Sequence, residues 1–140
     1  MILAKYLWLS GSAIIGMLGT VHLFYTFFSN KFLPRRAELA EEMKATSPVL
    51  TKQTTMWKAW MGFNASHSSG AMFIGIINIY LAACHFDVLQ NSTFLLLFNI
   101  LTLGFYLWLA KRYWFKIPLR GITIALICYV TAYVLIMVNS

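Results

Sequence analysis

The sequence predicts an all-α membrane protein: an antiparallel bundle of four transmembrane helices, with a short cytoplasmic interfacial helix between helices one and two. Three observations carry that prediction. Of the 140 residues, 60% are hydrophobic and only 11% are charged, against about 25% charged in an ordinary soluble domain. The charge is missing from four blocks, 6–28, 59–84, 88–110 and 121–140, none of which holds Lys, Arg, Asp or Glu. Ten of the eleven basic residues fall in two of the connections between those blocks. Only the first connection is long enough for structure of its own, so residues 1–140 read as a single membrane domain.

Each block reaches the roughly 20 apolar residues that a helix needs to cross a hydrocarbon core of about 30 Å. In the first, Lys5 precedes the apolar run and Gly11-Ser12-Ala13 offers small residues, as in a signal peptide. The run continues unbroken to Phe28, however, well past an h-region of about 7–15 residues. It is expected to stay as a helix, with Tyr6 and Trp8 in the aromatic belt at its outer end. In the connection that follows, Pro34 suits a first helical position, Glu38, Glu41 and Glu42 the early turns, and Lys44 the last. Ser47-Pro48 should stop this helix, and Leu39, Ala40 and Met43 give it a modest apolar face. Thr51 is a candidate cap for helix two. Trp57 and Trp60 mark the inner end of helix two, and Trp108, Tyr113 and Trp114 mark that of helix three.

Orientation follows from the basic residues. Lys31, Arg35, Arg36, Lys44, Lys52 and Lys58 lie in the first connection, and Lys111, Arg112, Lys116 and Arg120 in the third. The opposite side has only Lys5, so the positive-inside rule puts both termini on the non-cytoplasmic side. The formal net charge of +7 is therefore a matter of topology and lipid phosphates, and no nucleic-acid partner is implied. Cys84 and Cys128 fall at different depths and are read as free thiols rather than a disulfide.

Polar groups inside a bilayer are costly, and each needs a reason. His22 lies about 10 Å deep from the inner end of helix one, and His67 about 10–15 Å deep in helix two. Antiparallel neighbours bring those depths to one level. Thr26 follows His22 by one turn, while Ser12, Gly16 and Gly19 give helix one a small-residue surface that lets another helix approach. Trp60, Asn64, His67, Ala71 and Asn78 recur at helical spacing on helix two, with Ser68 beside them.

Three readings suit that cluster. It can be a structural hydrogen-bond network between the helices. It can hold the polar head of a lipid or small hydrophobic ligand, with Thr26, Trp60, Asn64 and Ser68 around it. It can also ligate haem or a metal through His22 and His67, as two neutral imidazoles facing each other across an iron. Catalysis has little support, because no span contains a carboxylate to partner a histidine base. Asn91-Ser92-Thr93 matches a glycosylation acceptor, and Cys84-His85 is a poor ligand pair alone. Asn99, Thr123 and Thr131 are expected to satisfy one another or backbone carbonyls. A transporter would show broken helices or repeated halves, and neither is present.

The segments GTVHLFYTF (19–27) and WKAWMGFNASH (57–67) resemble a group of small bacterial membrane proteins with four helices and no assigned function. The resemblance covers helices one and two and their connection. It implies a bacterial inner membrane and draws weight to His22 and His67, without implying a chemistry. The expectation is a non-enzymatic protein that binds a lipid or hydrophobic ligand, or serves as an accessory subunit to a membrane partner or in a homo-oligomer.

Overall fold

The computed structural model describes residues 1–139. Six helices follow one another: α1 (Ile2–Phe28), α2 (Ala37–Ala45), α3 (Met56–Cys84), α4 (Phe86–Gln90), α5 (Thr93–Tyr113) and α6 (Lys116–Val138). α1, α3, α5 and α6 are long and apolar enough to cross a membrane, and the chain is the expected all-α membrane protein.

The element boundaries correct the uncharged blocks in physical ways. The third block began at Val88, but Val88–Gln90 belongs to the separate short helix α4. α5 starts afresh at Thr93 because the Ser92 side chain accepts from the Leu95 amide at 3.3 Å, an N-cap that outweighs continuity of the apolar run. α6 begins at Lys116 rather than Gly121, and Pro118 is tolerated there because the first turn has no intrahelical acceptors for its amides. Pro34 does not open α2; Arg36 is the N-cap and the helix starts at Ala37. Thr51 does not cap α3. Its hydroxyl accepts from Gln53 in a local turn, and Thr55 instead accepts from the Lys58 amide at 3.3 Å. α2 does carry Glu38 early and Lys44 late, and ends before Ser47-Pro48.

The chain divides into two compact units, with α1 and α3 each running through both. Unit 1 comprises 1–18 and 71–140 and gathers segments of all four long helices. Its α1 and α3 segments are antiparallel: Lys5 Nζ donates to the Ala83 carbonyl at 3.1 Å, while Gly16 meets Gly75. Lys5 thereby satisfies one of the carbonyls that the end of α3 leaves without an intrahelical donor. α1 is antiparallel to α6 as well, with Gly11 against Tyr129 and Leu18 against Gly121.

A polar thread runs through the apolar core of this unit. Trp8 Nε1 donates to Asn78 Oδ1 at 2.9 Å, and Asn78 Nδ2 donates to Asn99 Oδ1 at 2.7 Å. The second amide proton of Asn78 goes to the Ile74 carbonyl, which satisfies both of its donors, and Asn99 Nδ2 donates to the Leu95 carbonyl at 2.8 Å. The Trp8 ring stacks on Tyr129 with centroids 3.9 Å apart. Ser12 gives its only hydroxyl proton to the Trp8 carbonyl at 2.7 Å, so Tyr129 must be the donor in the 2.8 Å bond between the two hydroxyls. Trp8 is therefore no part of an interfacial belt; it is fully buried, and Tyr6 beside it is the ring that faces outward. The indole nitrogen finds its partner in Asn78, which removes the reason for a tryptophan to seek the headgroup layer.

Unit 2, residues 19–70, holds the end of α1, the connection with α2, and the start of α3. α2 buries none of its residues, and its Glu41–Lys44 ion pair is exposed and worth about 0–1 kcal/mol. The connection returns to α3 through a bond from the Met56 amide to the Thr46 carbonyl at 2.8 Å.

Candidate functional site

Within unit 2 the two histidines meet. His22 on α1 and His67 on α3 have ring centroids 5.4 Å apart, edge to face at 79°. Asn64, one turn before His67, joins them, with His22 Nε2 lying 3.0 Å from Asn64 Oδ1. The Asn64 amide nitrogen donates to the Trp60 carbonyl at 2.8 Å, which leaves Oδ1 as the acceptor. A carbonyl oxygen cannot donate, so His22 carries its proton on Nε2. Asn64 thereby selects, for a neutral ring, the tautomer in which Nδ1 is the hydrogen-bond acceptor.

The other residues expected at the site behave differently. Thr26 is buried, but its hydroxyl donates to the His22 carbonyl at 2.9 Å. Ser68 is fully buried and donates to the Asn64 carbonyl at 2.6 Å. Both hydroxyls thus spend their protons inside their own helices, the usual refuge of Ser and Thr in an apolar setting. They brace the helix backbone under His22 and Asn64. Trp60 is exposed and its indole nitrogen points to the Phe32 carbonyl at 3.4 Å.

Phe32 is the residue that sequence reasoning missed. Its ring lies 4.5 Å from that of His22. It also lines an open cleft of about 400 Å³, together with Lys31, Leu33, Pro34, Met43 and Trp60. Phe32 is thus the wall shared by the cleft and the histidine cluster. The available signal was the apolar triplet Phe32-Leu33-Pro34 between Lys31 and Arg35, where a solvated connection has no need of it.

The geometry can be tested against the metal readings. Bis-imidazole ligation of haem needs the two rings on opposite faces of a planar macrocycle. Here the rings touch edge to face, and the Nε2 proton of His22 is committed to Asn64. The cluster as built does not fit haem. Among the described residues no group of three His, Cys, Asp or Glu side chains converges on a point. His85 Nε2 sits 3.0 Å from the Tyr80 hydroxyl, and the adjacent Cys84 is exposed. The carboxylates Glu38, Glu41, Glu42 and Asp87 all lie outside the four apolar blocks, so neither histidine has an acidic partner within them.

No protein-family model matches the chain, no curated protein matches it, and no solved structure matches it. Four membrane-length helices make it a multi-pass membrane protein, and the site has to be read from its own chemistry.

Proposed function

We propose that this chain is a non-enzymatic protein of the bacterial inner membrane that binds a lipid or small hydrophobic ligand at the His22–Asn64–His67 cluster. One observation carries the reading: the Phe32 ring lies tilted against His22, with centroids 4.5 Å apart, and at the same time walls the adjoining cleft. Apolar surface with a few convergent polar groups is how small-molecule sites are built. The cleft offers Leu33, Pro34, Met43 and the Trp60 ring to an apolar body. In its neutral form His22 offers Nδ1 as an acceptor to a ligand hydroxyl or amide, and Lys31, whose ammonium lies over the Tyr25 ring, adds a cation to the cleft lining. Binding as an accessory subunit to another membrane protein is the second form of the same reading, with a partner segment filling the cleft.

In this reading the connections that carry Lys31–Lys58 and Lys111–Arg120 lie in the cytoplasm, on the strength of their ten basic residues. A C-terminal alkaline phosphatase fusion should therefore be active, and a C-terminal green fluorescent protein fusion dark. Bright fluorescence would reverse the orientation. The choice of a bacterial inner membrane rests on the resemblance read in residues 19–27 and 57–67 and is part of the proposal.

For the site itself, mass spectrometry of the detergent-purified protein should find a copurifying amphiphile. His22→Ala and Phe32→Ala should each reduce it by about tenfold, as expected for losing about 1.4 kcal/mol of binding, with melting temperature little changed. A fall in melting temperature without any change in bound material would make the cluster a purely structural tie. The absorption spectrum, oxidised and then reduced with dithionite, checks the haem reading. A Soret band lost in His67→Ala would replace the ligand proposal.

A further inference from the structure

The outer face of α5 carries a second feature, independent of the histidine cluster. Phe94, Phe98, Leu101, Phe105 and Trp108 are spaced four, three, four and three residues apart, and each is more than half exposed. That spacing is one face of a helix. The opposite face, with Leu96, Asn99, Leu103 and Ala110, is buried in unit 1. The rings on the outer face are ordered against one another: Phe94 stacks on Phe98 with centroids 5.7 Å apart, and Phe105 on Trp108 at the same separation. The stripe ends in charge. Trp108, Lys111 and Arg112 line an open cleft of about 340 Å³, and Tyr113 closes edge-on against Trp108. Lys111 and Arg112 are exposed, and among the described residues neither pairs with a carboxylate. No Asp or Glu follows Asp87 in the chain, so none is near them in sequence.

We infer that this face is a binding site for one anionic phospholipid, its phosphodiester held by Lys111 and Arg112 and an acyl chain lying along the aromatic stripe. The negative end of the α5 dipole favours the two cations there, and its half charge is too small to cancel them for an incoming anion. A basic pocket at a membrane-helix end is the kind of site that takes acidic headgroups. Trp108 is suited to the level between headgroup and chain, being apolar in the ring and polar at the indole nitrogen. The alternative occupant of a four-three stripe is another helix. Close helix seams in membranes use small residues, as Gly16 and Gly75 do in this chain. Three phenylalanines and a tryptophan hold a neighbouring backbone off, and they suit a flexible acyl chain.

The test uses delipidated protein in detergent, titrated with phosphatidylglycerol or phosphatidylcholine of identical chains, with bound lipids counted by native mass spectrometry. Wild-type protein should hold phosphatidylglycerol about 10–30-fold more tightly, the preference two cations near the surface supply. The Lys111→Gln/Arg112→Gln pair should abolish that preference, while Lys111→Arg/Arg112→Lys keeps it, with unchanged helicity in both. Trp108→Ala should weaken both lipids. Equal affinity of wild-type protein for the two lipids would overturn the proposal, as would an undiminished preference in the Gln pair. Displacement of phosphatidylglycerol by excess inorganic phosphate would show a free-anion site instead. A dimer by light scattering that Phe98→Ala/Phe105→Ala converts to monomer would make the stripe a seam between copies.

Discussion

Gly75→Ala is expected to destabilise the protein by about 1–3 kcal/mol, the usual cost of overpacking, whereas Gly16→Ala should be neutral or stabilising by up to about 1 kcal/mol. The two glycines face each other between α1 and α3, but the space around them is unequal. A Cβ added at Gly75 would lie 2.5 Å from Gly16 Cα, 2.6 Å from Gly16 N and 2.9 Å from the Ser12 carbonyl oxygen. All three are backbone atoms of α1, so no side chain can swing aside, and carbon pairs settle only near 3.5–4.0 Å. The helices would have to separate by about an ångström, which pulls on Ser12 and on the Trp8–Tyr129 stack above it. A Cβ added at Gly16 meets only Gly75 Cα, at 3.6 Å, an ordinary contact. The better helix propensity of alanine, up to about 1 kcal/mol, then has little to offset. Unfolding in mixed detergent micelles would measure both. Equal stabilities for the two variants would show that α1 and α3 do not cross at this point.

Asn78→Ala should be more harmful still, at about 2–4 kcal/mol. The side chain is fully buried and holds Trp8 on one side and Asn99 on the other. A single hydrogen bond between membrane helices averages only about 0.6 kcal/mol, so two lost bonds alone would be mild. Most of the damage comes from the groups left behind: an indole N–H and an amide oxygen buried without partners, each costing about 1–3 kcal/mol. Pairing Asn78→Ala with Trp8→Phe separates the two effects. Trp8→Phe removes the donor itself, so the double variant should be better than the sum of the singles by about 0.5–2 kcal/mol. Strict additivity would mean that the Trp8–Asn78 bond contributes nothing, and the thread between α1, α3 and α5 would lose its first link.

Much of the candidate site was legible before any coordinates. His22, Asn64 and His67 stood out because polar side chains are rare in uncharged blocks, and matched depth on antiparallel helices brought the histidines together. Thr26 and Ser68 stood out for the same reason, yet a sequence cannot say whether a hydroxyl turns to a neighbour or to its own helix. Both turn inward, to the carbonyls of His22 and Asn64. For Phe32 the apolar triplet 32–34 marked the segment but not its partner, because a residue in a connection has no period to place it, and only the return of the chain sets its ring against His22.

What the sequence by itself determined is the number of membrane-length helices and their antiparallel succession, together with the charge asymmetry from which orientation is proposed. These rest on the cost of placing charge in hydrocarbon, a one-dimensional property that every residue carries wherever it folds. Tertiary structure alone decided which polar groups partner which. Asn78, which shares a helical stripe with His67, joins Trp8 and Asn99 instead. Trp8, a belt residue by position, became a core residue because Tyr129, 121 positions later, supplies a parallel ring. Hydrogen bonds and ring contacts act over a few ångströms between residues far apart in the chain, so their pairing is written only when the helices meet.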